Sequence, residues 1–154
     1  MILRQKEIKT SIDISAPPTK VWEVLTNFSE YENWNPFLKS IEGDVEVGKK
    51  IRINVNGMKF KPIVLIFNEN KEIRWIGKFL FKGLFDGEHS FDIIDNQNGT
   101  STFKQEEKFT GILVGLFSKK LESETKPGFV AMNKKLKEIA EKLNKSDNND
   151  PYYD

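Results

Sequence analysis

Residues 118–143 read SKKLESETKPGFVAMNKKLKEIAEKL. Leu121, Thr125, Gly128 or Phe129, Met132, Leu136, Ile139 or Ala140, and Leu143 recur at helical spacing. They form one stripe, and the opposite face is Lys and Glu, the pattern of a helix with one side against a core. Pro127-Gly128 interrupts it. Proline removes a helix hydrogen bond and crowds the preceding turn, so a kink or break is expected near Lys126.

What that helix must cover lies upstream. Residues 8–14 alternate, with Ile8, Thr10, Ile12 and Ile14 on one face and Lys9, Ser11 and Asp13 on the other, which predicts a half-buried strand. Ser15-Ala16-Pro17-Pro18 ends it, and the prolines suit the first turn of a helix. Val21, Trp22, Val24, Leu25 and Phe28 then follow at helical spacing. Asn27 to Pro36 is rich in turn residues. Strands are expected at 38–45, 49–56, 58–68, 71–80, 86–95 and 100–110, separated by turn signals such as Asn56-Gly57 and Asn96-Gln97-Asn98-Gly99. Short connections between consecutive strands imply an antiparallel meander. Residues 111–117 read as an apolar connector, and 144–154 as a polar, disordered tail. The fold class is therefore α+β. A curved antiparallel sheet of about seven strands wraps a long C-terminal helix, with two short helices after the first strand, in a single domain spanning 1–143.

The totals narrow the function. The chain has 154 residues and a formal charge of +1, from 24 basic and 23 acidic residues. So small a net charge offers no field for nucleic acid or anionic lipid, and neither partner is expected. Without cysteine there is no disulfide and no thiolate site. No segment approaches the roughly 18 apolar residues of a membrane span, so no integral membrane contact is expected. Met1 to Glu7 turns polar at once, without a signal-peptide core. These features are those expected of a cytoplasmic protein. A single histidine excludes a two-histidine metal motif, and no metal or other cofactor is expected. No nucleophile elbow and no phosphate loop is present. Twelve Phe, 3 Trp and 3 Tyr supply either a bulky core or the wall of an apolar cavity.

Residues 12–37, IDISAPPTKVWEVLTNFSEYENWNPF, together with GLFDGEHSF (83–91), EEKFTGIL (106–113) and GFVAMNKKLK (128–137), resemble the helix-grip superfamily. That superfamily, also called SRPBCC, includes START domains, the birch-pollen allergen and polyketide cyclase/dehydrase-like proteins. The resemblance spans about residues 8–143. Pro127 departs from it, since these helices more often run unbroken. The resemblance implies a sheet too curved to be filled by one helix, with the leftover space serving as a pocket for a small hydrophobic molecule such as a lipid, polyketide-like or aromatic compound.

The residues that could carry chemistry follow from the strand faces. His89, Phe91 and Ile93 share one face of their strand, and Phe103, Gln105, Glu107 and Phe109 share one face of the next. A loop centred near Gln97-Asn98 places Phe91 opposite Gln105 and His89 opposite Glu107. The His89–Glu107 pair could hold a ligand's polar group, act in acid/base chemistry or be purely structural. Gln105, polar on an apolar face, needs a partner in a ligand, a water or a backbone group. Trp34, Trp75, Phe79, Phe91, Phe103, Phe129 and Met132 are the candidate pocket walls, with plain core packing as the alternative for each. The apolar run 79–85 could form a lid, a partner-binding patch or packing beneath the last helix. Three functions are open: a carrier or binding module for a small hydrophobic ligand, an interaction module of the chaperone-activator type, and an enzyme using His89 and Glu107. The oligomeric state is not legible.

Overall fold

The computed structural model describes residues 4–78 and 83–149. The chain opens with strand β1 (Arg4–Ile14), helix α1 (Pro18–Thr26), a 3-10 turn (Phe28–Glu30) and short helix α2 (Tyr31–Trp34). Seven further strands follow: β2 (Leu38–Glu42), β3 (Arg52–Val55), β4 (Met58–Phe60), β5 (Ile63–Asn68), β6 (Glu72–Lys78), β7 (Asp86–Asp95) and β8 (Ser101–Gly111). Helix α3 (Val114–Asn148) completes the fold. All strand pairings are antiparallel. The strands form a five-stranded sheet ordered β1-β8-β7-β6-β5 and a three-stranded sheet ordered β2-β3-β4.

Among the described residues eight strands appear, rather than about seven, because the stretch 58–68 is broken at Lys61-Pro62. Proline has no N–H to give a ladder. Its carbonyl instead accepts from the Ile51 N–H at 3.0 Å, and a bridge between Lys50 and Ile63 joins the two sheets. β1 begins at Arg4 rather than Ile8, since its polar start pairs with β8 as far as Gly111.

The helix differs from its sequence reading in three ways. It starts at Val114, inside the supposed connector 111–117, once Gly111 has turned the chain at a positive φ of 137°. It runs through Pro127 without a break. Packing compensates for the lost hydrogen bond: Phe129 beside it is fully buried, and the Phe37 ring lies against the bare Gly128 backbone. Residues 144–148, read as a disordered tail, are helical. Asn144 Nδ2 donates to the Ser15 carbonyl at 3.4 Å and Asp147 pairs with Lys20, so this polar turn is tied to α1 and its entry loop. Residues 150–154 lie outside the described residues.

The core lies between the concave face of the large sheet and the buried stripe of α3, namely Phe129, Met132, Leu136 and Ala140. α1 adds Val21, Trp22, Val24 and Leu25. A methyl group at Gly128 would overlap the buried Phe37 ring and force it to move. Gly128→Ala is therefore expected to destabilise the protein by about 1–3 kcal/mol in chemical denaturation, even though alanine is the better helix former.

Candidate functional site

The concave face of the large sheet is built in rows. One row is Ile73, Phe91, Gln105 and Thr10, and the next is Trp75, His89, Glu107 and Ile8. The row after that begins Gly77, Gly87, Phe109. Two glycines side by side leave the sheet bare where every other row carries side chains. Across this gap, the first half of α3 presents Leu121, Glu124 and Thr125, ahead of its buried stripe. The result is a cavity of about 210 Å3. Its walls are mainly apolar, with Phe37, Ile53, Phe60, Trp75, Phe85 and Phe109 among them. Exposed Met58 lies at its margin.

His89 and Glu107 stand on the inner wall of this cavity, in the cross-strand register expected from the loop. His89 is 5% exposed. Its ring stacks on Trp75 at 5.4 Å between centroids and meets the edge of Phe129 at 5.0 Å. Nδ1 lies 3.3 Å from Glu107 Oε2, and Nε2 lies 3.1 Å from Gln105 Oε1. Gln105 Nε2 donates to Asn133 Oδ1 at 2.8 Å and reaches the Phe129 carbonyl at 3.5 Å. Asn133 Nδ2 donates to Thr10 Oγ1 at 2.9 Å, and the Thr10 hydroxyl donates to the Gln105 carbonyl at 2.8 Å.

This chain of bonds fixes the direction of every link. The threonine hydroxyl has a single proton, and the backbone carbonyl takes it. Thr10 Oγ1 can then only accept from Asn133, so Asn133 turns its oxygen to Gln105. Gln105 must donate there, and its own oxygen faces His89. Nε2 of His89 therefore carries a hydrogen. Nδ1, the other ring nitrogen, faces Glu107 Oε2.

The expected wall residues divide. Trp75, His89 and Glu107 border the cavity. Phe91, Phe103, Phe129 and Met132 are fully buried core beyond it, and Gln105 is the buried link behind His89. Trp34 packs edge-on against Tyr31 at 5.1 Å in α2, away from the cavity. Phe79 lies outside the described residues, as does the run 79–85 up to residue 82. At the end of that run, Phe85 borders the cavity.

Sequence reasoning missed Asn133, Gly77, Gly87 and Thr125. Asn133 was readable as a polar residue one position from the buried Met132. A glycine inside a well-formed strand was a signal of close approach: a Cβ on Gly87 would sit 2.7 Å from Glu107 Oε1.

Elsewhere, on the convex face, Glu72 lies opposite Asp92. Burial and the neighbouring Glu72 carboxyl push the Asp92 carboxyl up to about 6. Among the described residues, no group of three His, Cys, Asp or Glu side chains is placed to hold a metal ion, and no helix is long and apolar enough to cross a membrane.

Residues 5–141 match the family model described as polyketide cyclase / dehydrase and lipid transport. No curated protein matches the sequence. Among solved structures, the chain is similar to a START superfamily protein from Mycobacterium smegmatis, at 17% identity and TM-score 0.63, covering 91% of this chain and 97% of that one. It is also similar to norcoclaurine synthase from Thalictrum flavum in complex with dopamine and hydroxybenzaldehyde, at 13% identity and TM-score 0.65, covering 89% and 87%. A hypothetical protein from Helicobacter pylori gives TM-score 0.73 at 14% identity, covering 88% of each chain. At these identities the three likenesses concern the fold. The family match covers most of the sequence, so the chain belongs to the polyketide cyclase/dehydrase and lipid-transport family.

Proposed function

We propose that the protein binds a small hydrophobic molecule in the cavity between its sheet and the first half of α3. The observation that carries this reading is the Gly77–Gly87 gap roofed by Leu121 and Thr125, an apolar hollow of about 210 Å3 with His89 and Glu107 on its wall. Pockets for drug-sized ligands run to roughly 300–1,000 Å3. The smaller volume suits a compact ligand of about one or two rings rather than a long-chain lipid. Binding is favoured over acid/base catalysis because both His89 ring nitrogens are already engaged, by Glu107 and Gln105. Interaction with a protein partner is a second reading. It draws on Ile112, Leu116 and Phe117, exposed beside the start of α3 with Leu116 at 77%.

The test is thermal unfolding of the full chain against a panel of small aromatic and aliphatic compounds, together with Thr125→Phe, which fills the cavity from the helix side. A ligand at about a hundred times its Kd stabilises by about 2.7 kcal/mol and raises Tm by several degrees. That rise is expected in the native protein and not in the filled variant. No rise with any compound, or an equal rise in both proteins, contradicts the reading.

A further inference from the structure

The wall of the cavity carries one polar atom with an unfilled role. Glu107 Oε2 is taken by His89, while Oε1 lies over the bare Cα of Gly87 on the cavity side. Among the described residues none donates a hydrogen bond to Oε1. The direction of the network determines what Oε1 can be. With Oε2 turned to His89, Oε1 offers only lone pairs and acts as an acceptor.

We propose that Glu107 Oε1 is the polar anchor of the cavity and that the ligand is a small aromatic carrying a hydroxyl, which donates to Oε1 while its ring packs between Trp75 and the phenylalanine walls. This rests on reading the cavity as a ligand site. It adds a selection rule: the hydroxyl satisfies a partly buried acceptor, and a ligand lacking a donor leaves that acceptor bare. Thr10, Gln105 and Asn133 are positioning residues, since they hold His89 and through it the carboxyl of Glu107.

The test compares 2-naphthol with 2-methylnaphthalene, which replaces the hydroxyl with a methyl group of similar size. Each is titrated into the full chain by tryptophan fluorescence, in the native protein and in Glu107→Met. Native protein is expected to bind 2-naphthol about tenfold more tightly, because a hydrogen bond to such an acceptor outweighs the hydrophobic gain of a methyl group. In Glu107→Met the order is expected to reverse while 2-methylnaphthalene still binds. Equal or tighter binding of 2-methylnaphthalene by native protein overturns the anchor and leaves the cavity reading standing, and that comparison needs no variant to fold. A preference for the hydroxyl that survives Glu107→Met also overturns it. Failure of both compounds to bind native protein overturns the cavity reading and the anchor with it.

Discussion

Phe129→Ala is expected to lower the stability of the fold by about 3–5 kcal/mol, the range for removing a large aromatic from a closed core. Phe129 is fully buried near the middle of α3. Its ring meets Phe37 edge-on at 5.3 Å and the His89 ring at 5.0 Å, so one side chain ties the helix both to the segment entering β2 and to the large sheet. Those neighbours are themselves fixed: Phe37 lies against the Gly128 backbone and His89 is held by two hydrogen bonds. These contacts limit how far the site can collapse to fill the space. In guanidinium unfolding the midpoint should fall with little change in slope. Against a typical total of about 5–15 kcal/mol, the loss leaves a marginal protein. A cost below about 1 kcal/mol would show that the helix does not grip the sheet here.

Gln105→Leu is expected to cost roughly 2–5 kcal/mol, although it replaces a polar core residue with an apolar one of similar size. Gln105 is fully buried. Its loss strands the His89 Nε2 hydrogen and Asn133 Oδ1, two buried polar groups, at about 1–3 kcal/mol each. The network also predicts strong coupling. Once Gln105 is gone, Asn133→Leu removes one of the stranded groups, so the double variant should be less destabilised than the sum of the two singles by at least about 0.5 kcal/mol. Simple additivity in denaturant unfolding would mean that the two side chains do not form one unit.

These two residues also show how far the sequence could be read. The β7–β8 register was legible because the turn between the strands is short and chemically marked. Gln97 and Gly99 take positive φ, and Asn96 N–H closes onto the Thr100 carbonyl at 3.1 Å. With the turn fixed, Phe91 opposite Gln105 and His89 opposite Glu107 follow from alternation alone. The helix boundaries were not legible. Pro127 speaks only for its own backbone, whereas the burial of Phe129 and the fit of Phe37 on Gly128 are tertiary. The polar residues 144–148 are helical because of Ser15 and Lys20, more than 120 positions away in the chain. The site was half legible for a further reason. Aromatic residues drew attention, yet Phe91, Phe103 and Phe129 are core, and the cavity lies where Gly77 and Gly87 leave side chains out. A pattern of side chains marks surfaces that touch; a hollow is marked by what is missing.

This hollow is the proposed ligand site. Backbone amide chemical shifts, followed by NMR during a titration with 2-naphthol, test it most directly. Saturable shifts are expected, concentrated on Gly77, Gly87, Glu107, Leu121 and Thr125, which come from β6, β7, β8 and α3 and all border the cavity. Shifts confined to exposed positions such as Leu116 and Val130, or no saturable shift at all, would contradict it.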